Sequence, residues 1–165
     1  MFHPDLLHQA ELLLATARAR GVRIVTAESC TGGLVAGLLT EIPGSSDVVD
    51  RGFVTYSNHA KAEALGVPVA LLKAHGAVSE PVAVAMVEGA LMHAHANLAI
   101  AVTGIAGPGG GLPGKPVGLV HMAAALRGQA PVHEVHHFGG IGRTPVRLAT
   151  VSAALALMQS QLGPA

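Results

Sequence analysis

Aromatic side chains are nearly missing: the 165 residues include no Trp, one Tyr and three Phe. Ten basic residues are matched by ten acidic ones, so the chain has neither the rings nor the positive surplus of a nucleic-acid binder. Nucleic acid is not an expected partner. Cys30 is the only cysteine, which excludes an internal disulfide and suits a reducing cytoplasm. No stretch reaches the roughly eighteen consecutive apolar residues of a membrane span, and residues 1–21 lack the layout of a secretory signal. The expectation is a cytoplasmic protein with no membrane partner. Charged residues make up only 12% of the chain, whereas 50% is apolar, mostly Ala, Val and Leu. Such a chain packs small side chains closely, and its alanine-rich helices favour a homo-oligomer. Residues 1–165 read as one domain, long enough for a single core.

What is there is organised around residues 26–33, TAESCTGG. A β-type stretch, 22–26, runs into the polar cluster Glu28-Ser29-Cys30-Thr31, and a helix pattern follows from about Gly33 to Glu41. A strand that turns sharply into a helix lifts a small nucleophilic side chain above the sheet edge. It also points the helix's first free N–H groups at whatever that side chain attacks. Gly32 and Gly33 lack Cβ atoms, which permits close approach. The reading is a hydroxyl or thiol nucleophile beside an oxyanion site formed around Thr31, Gly32 and Gly33.

The remaining elements follow from periodicity and punctuation. Pro4-Asp5 opens a helix that Gly21 ends, and 48–56 is a strand in which Gly52 marks a bulge. Asn58 caps a short helix to Leu65, 69–75 forms a second, and Ser79-Glu80-Pro81 starts a helix running over 82–95. The apolar run 98–103 reads as a central strand buried on both faces. A glycine-rich loop follows, then strands over 118–125 and 132–138, then a helix over 146–162 capped by Thr144-Pro145. The fold class is α/β: a three-layer α/β/α domain with a mixed sheet and a C-terminal antiparallel hairpin.

In such sheets ligands bind beyond the carboxyl ends of the strands. Three of those ends carry reactive or anion-binding groups: 28–33, 56–61 and 103–111. Ser29 needs a base, and Lys61 qualifies because a position in the first helical turn disfavours its ammonium form. Tyr56 stands five residues earlier, placed to relay a proton or orient Ser29. Cys30 is a rival nucleophile, since thiols near helix starts are activated; it equally fits a small buried position. Ser29 and Thr31 also fit plain helix caps, with Lys61 solvated. Amides of the loop from Gly104 to Gly111, with Thr103 and Lys115, offer an anion site, although no Walker or Rossmann pattern is present. His133, His136 and His137 read as polar positions on an edge strand rather than metal ligands.

TAESCTGGLVAGLLTEIPGSS, RGFVTYSNHAK, HGAVSEPVAVAM, TGIAGPGGG and KPVG stand in the order and spacing of one family. Together they resemble the C-terminal CinA domain, found alone in the nicotinamide mononucleotide deamidases called PncC. The resemblance implies a metal-independent serine amidase with no cofactor, converting nicotinamide mononucleotide to nicotinate mononucleotide and ammonia. It implies Ser29 as nucleophile, Lys61 as general base and Tyr56 as its helper. Thr103, Gly104 and Gly107 become substrate-binding groups, beside Glu28, Cys30, Thr31, Gly32, Gly33, Lys115 and Arg143. The family's F-x-G-D-R-x-x-V-R stretch appears here as Phe138 to Arg147 with one residue more and no Asp.

Overall fold

A computed structural model describes residues 2–163. Five strands form one sheet in the order β2-β1-β3-β4-β5: β1 Ile24–Glu28, β2 Val49–Val54, β3 Leu98–Gly104, β4 Leu119–Leu126 and β5 Val132–His137. β1 pairs in parallel with β2 and β3, whereas β3–β4 and β4–β5 are antiparallel. The mixed sheet and C-terminal hairpin thus match the sequence reading. Six α-helices cover it: α1 Pro4–Ala19, α2 Leu34–Glu41, α3 Asn58–Leu65, α4 Val69–His75, α5 Glu80–Met92 and α6 Arg143–Leu162.

The two sheet faces differ in side-chain size. Ile24, Leu98, Ile100, Val102, Val120 and Met122 face α1, α2 and α6 and share one core with them. The opposite face presents Val25, Ala27, Ala99, Ala101, Ala123 and Ala125 to α5, which packs onto β3 and β4. Alternation along each strand sets this division. Alanine opposes alanine across β3 and β4 (Ala99–Ala125, Ala101–Ala123), so α5 rests on a floor of methyl groups. Close packing continues outward: a Cβ on Gly89 of α5 would overlap the Leu65 carbonyl of α3.

Several local expectations are corrected. β1 runs on to Glu28 instead of ending at Thr26. The irregularity in β2 is at Asp50, the extra residue between the pairs Ile24–Val49 and Val25–Arg51. Gly52 is instead required by packing, since a Cβ there would lie 2.9 Å from both Ala36 Cβ and Thr26 Oγ1. Ser57, not Asn58, caps α3, its Oγ accepting from Ala60 N–H at 3.0 Å. α5 ends at Met92, and α6 starts at Arg143 behind Gly142 with no side-chain cap from Thr144. No helix among the described residues is long and apolar enough to cross a membrane.

Candidate active site

The carboxyl ends of the three parallel strands lie side by side, which draws the three sequence clusters into one cleft of ≈ 290 Å³. Its walls include Ser29, Cys30, Tyr56, Asn58, Lys61 and Thr103, with Arg143 at one side. The volume is near the lower end of small-molecule sites, about 300–1,000 Å³. A larger apolar groove of ≈ 770 Å³ runs between α1 and α6, but its lining holds no acid, base or cysteine.

Ser29 follows β1 directly. Its N–H donates to Val102 O of β3 at 3.0 Å, and the turn then closes through Gly32 N–H to Ser29 O. Gly32 and Gly33 take positive φ, 58° and 97°, which residues with a Cβ rarely adopt. Lys61, four positions past the Ser57 cap, reaches back beneath this turn. Its Nζ lies 2.8 Å from Ser29 Oγ and donates to Thr55 O at 2.7 Å. Only 1% of Lys61 is exposed, and burial pushes its pKa down to about 8. Cys30 is also buried, and desolvation pushes its thiol up to about 11. At neutral pH the thiolate form is therefore strongly disfavoured.

The expected oxyanion site at the start of α2 is already filled. Glu28 Oε2 accepts from Gly33 N–H and Val35 N–H, both at 3.0 Å, and Oε1 accepts from Ala36 N–H at 2.9 Å and from Thr26 Oγ1 at 3.2 Å. Thus Glu28 and Gly33 serve each other rather than the cleft, as the helix dipole favours. Thr31 and Gly32 also lie outside the cleft lining, Thr31 fully buried with its hydroxyl unpartnered among the described residues. The period of two explains the turn of Glu28: it shares the face of Ile24 and Thr26, where α2 begins. A strand read to residue 28 would have signalled this.

The glycine-rich loop contrasts with that turn. The N–H groups of Ala106, Gly107, Gly109 and Gly110 find no acceptor among the described residues, and all four residues line the cleft. Arg143 spans the cleft, Nη1 donating to Gly107 O at 3.0 Å and Nη2 to the Tyr56 hydroxyl at 2.7 Å. Tyr56 is therefore in the cleft, 59% exposed, with its oxygen engaged by Arg143. Thr103 lines the cleft, yet its hydroxyl donates to Ala77 O. Lys115 does not line the cleft; its amine donates to His75 O.

Two groups take roles that the sequence reading does not expect. Arg147 donates to Cys30 O at 3.1 Å and Thr31 O at 2.9 Å, bracing the turn that follows Ser29 from α6. Asn58, released from capping, leaves its carboxamide without a partner among the described residues one helical turn from Lys61. Its spacing of three from Lys61 was the available signal.

Among the described residues no group of three or more His, Cys, Asp or Glu is arranged to hold a metal ion. His121 Nδ1 and His133 Nε2 lie 2.9 Å apart and share a hydrogen bond, and burial, then the neighbouring His133, lowers the His121 pKa.

The CinA C-terminal domain model matches residues 7–162. A CinA-like protein of Anaeromyxobacter dehalogenans is 58% identical over 115 residues, 70% of this chain and 28% of its own length. Another, from Anaeromyxobacter sp. strain Fw109-5, is 49% identical over 151 residues, 92% of this chain and 36% of its own. The chain thus spans about a quarter to a third of the curated relatives it matches. The crystal structure of the competence/damage inducible protein CihA from Agrobacterium tumefaciens superposes with a TM-score of 0.95 at 52% identity, covering 98% of both chains. ComA from Klebsiella pneumoniae gives 0.91 at 38% identity, covering 95% of this chain and 96% of its own. By sequence and by fold, the chain belongs to the CinA C-terminal domain family.

Proposed function

We propose that this protein is a serine amidohydrolase that cleaves the carboxamide of nicotinamide mononucleotide, giving nicotinate mononucleotide and ammonia. The observation that carries the reading is the 2.8 Å contact between a buried lysine amine and a serine hydroxyl at the cleft floor. Burial supplies the missing base: with a pKa near 8, a useful fraction of Lys61 is neutral at pH 7–8.

Neutral Lys61 takes the Ser29 proton as Oγ bonds to the amide carbon. The resulting ammonium returns that proton to the amide nitrogen as the C–N bond breaks, and ammonia leaves. Water then attacks the Ser29 ester, Lys61 accepts its proton, and the carboxylate departs as Ser29 Oγ is reprotonated. Oxyanion donors fall to amides that the fold has not used, Cys30 N–H and those of the glycine-rich loop. Each such donor is commonly worth about 2.7–4 kcal/mol. Arg143 and the open amides of Gly107, Gly109 and Gly110 suit a phosphate, while Asn58 suits the substrate's amide group. Tyr56 positions Arg143 at the cleft rim. No metal or cofactor enters the scheme.

Attack by Cys30 is disfavoured by its raised pKa, and a purely binding module has no need of a buried serine–lysine pair. An ammonia-release assay with nicotinamide mononucleotide separates the three. Wild type is expected to turn over and Ser29→Ala to lose at least about 10³-fold in kcat. Undiminished turnover in Ser29→Ala would move the attack elsewhere. Thermal stabilisation by the mononucleotide without ammonia release would leave only a binder.

A further inference from the structure

Three consecutive carbonyls, in the segment that leads to one wall of the cleft, each accept from a different side chain. Lys115 Nζ donates to His75 O at 2.6 Å, Ser79 Oγ to Gly76 O at 2.8 Å and Thr103 Oγ1 to Ala77 O at 2.9 Å. Of this segment Ala77 and the following Val78 line the cleft. Ser79 acts within its own turn and Thr103 from the end of β3. Lys115 alone reaches across from the glycine-rich loop.

The base of that loop is pinned by Ile105 N–H donating to Leu119 O at 2.9 Å and Gly118 N–H to Ile105 O at 2.7 Å. Its tip closes on itself through the reciprocal Leu112–Lys115 backbone pair at 2.9 Å. At its near end Arg143 holds Gly107 O. Gly109 and Gly110, which line the cleft, therefore sit on an arc fixed at Gly107 by Arg143 and at Lys115 by His75. The seat of the amine depends on the absence of a side chain: a Cβ on Gly76 would lie 2.9 Å from Lys115 Nζ. The seat is also chemically matched, because His75 ends α4, where exposed carbonyls attract a cation.

We infer that Lys115 is a positioning residue, whose ammonium holds the glycine-rich arc against the 75–78 wall and so preforms the anion-binding side of the cleft without touching the ligand. An arc ordered in advance loses less conformational freedom on binding, so the effect falls on affinity and not on the chemical step. The kinetic arm of the test rests on the proposed deamidation; the structural arm does not.

The experiment compares Lys115→Met and Lys115→Arg with wild type in two measurements. One is steady-state ammonia release from nicotinamide mononucleotide. The other is the backbone ¹⁵N order parameters of Gly109, Gly110 and Gly111 in the unliganded protein. Lys115→Met is expected to raise KM about fivefold with kcat within about twofold. Its glycine order parameters should fall from about 0.85 to below about 0.6. Lys115→Arg, which can still donate to His75 O, should recover at least half of both effects. Unchanged order parameters in Lys115→Met overturn the proposal, and a raised KM alongside them assigns Lys115 to direct ligand contact instead. A fall in kcat as large as the rise in KM also overturns it. If wild type releases no ammonia, the deamidase reading fails while the order parameters still decide the role of Lys115.

Discussion

The start of α2 and the glycine-rich loop both place glycines and backbone N–H groups beside Ser29, yet only the loop keeps its amides open. At α2, Glu28 satisfies the donors and ties the turn to the end of β1. In the loop, Ala106, Gly107, Gly109 and Gly110 leave theirs unused. A helix N-terminus is thus an anion site only when the chain has not supplied its own anion. In the proposed reaction the closed turn would hold Ser29 in place, and the open loop would receive the substrate's charge. Perturbing the first should change rate or stability, and perturbing the second should change affinity.

The largest effect is expected beneath the closed turn. Lys61→Ala should lower kcat for ammonia release by about 10³-fold, within the usual range for loss of a general base. In wild type the rate should rise with pH and level off above about 8 if the neutral amine is the base, as proposed. A flat profile between pH 6 and 9 would remove Lys61 from the base role. Stability carries the same signature. The unfolded chain keeps the lysine proton up to 10.5 and the folded chain releases it near 8, so this residue's contribution rises between those values. Below pH 8 the buried ammonium costs about 3 kcal/mol, a cost that denaturant titrations at pH 7 and 9.5 would expose.

Glu28→Gln comes next and tests the rigidity of the closed turn. The amide presents donors where Gly33, Val35 and Ala36 also donate, leaving a buried group unsatisfied. A loss of about 3 kcal/mol is expected, or roughly 6–12 °C in Tm by calorimetry. An unchanged Tm would mean that the α2 amides can be served by something else. On the open side, Arg143→Ala should raise KM about tenfold with kcat within about threefold, measured by steady-state kinetics. A pure kcat effect there would erase the division of labour. The smallest effect belongs to Cys30→Ala, which should keep activity within about threefold. Loss of turnover in that variant, with Ser29→Ala active, would return the attack to sulfur.

Legibility in the sequence followed the range of the forces involved. Sheet, hairpin and helices were readable because apolar periodicity is local and repeated, as in residues 98–103. The pairing of Ser29 with Lys61, thirty-two positions apart, was expected from strand-end placement and from the family motifs. Hidden were the choices among equivalent partners. Ser57 and Asn58 both suit a cap, and only the path of the chain selects Ser57. Glu28 reads as a cleft residue when β1 is taken to stop at Thr26, which hides the face on which its carboxylate emerges. Arg147 ends a family motif, but nothing local says that it serves the Ser29 turn, since its acceptors lie more than a hundred residues away.

The alanine floor under α5 has a bearing on how this molecule can change. Most cores are hurt by trimming, but here there is little to trim: Ala99, Ala101, Ala123 and Ala125 have already given up every atom beyond a methyl. Sequence drift on that face is confined to sizes at or below the present one. A single added branch would lift α5, and with it the Ala77–Val78 rim that precedes it, so errors far from Ser29 would register as a misshapen pocket mouth rather than as a hole in the interior.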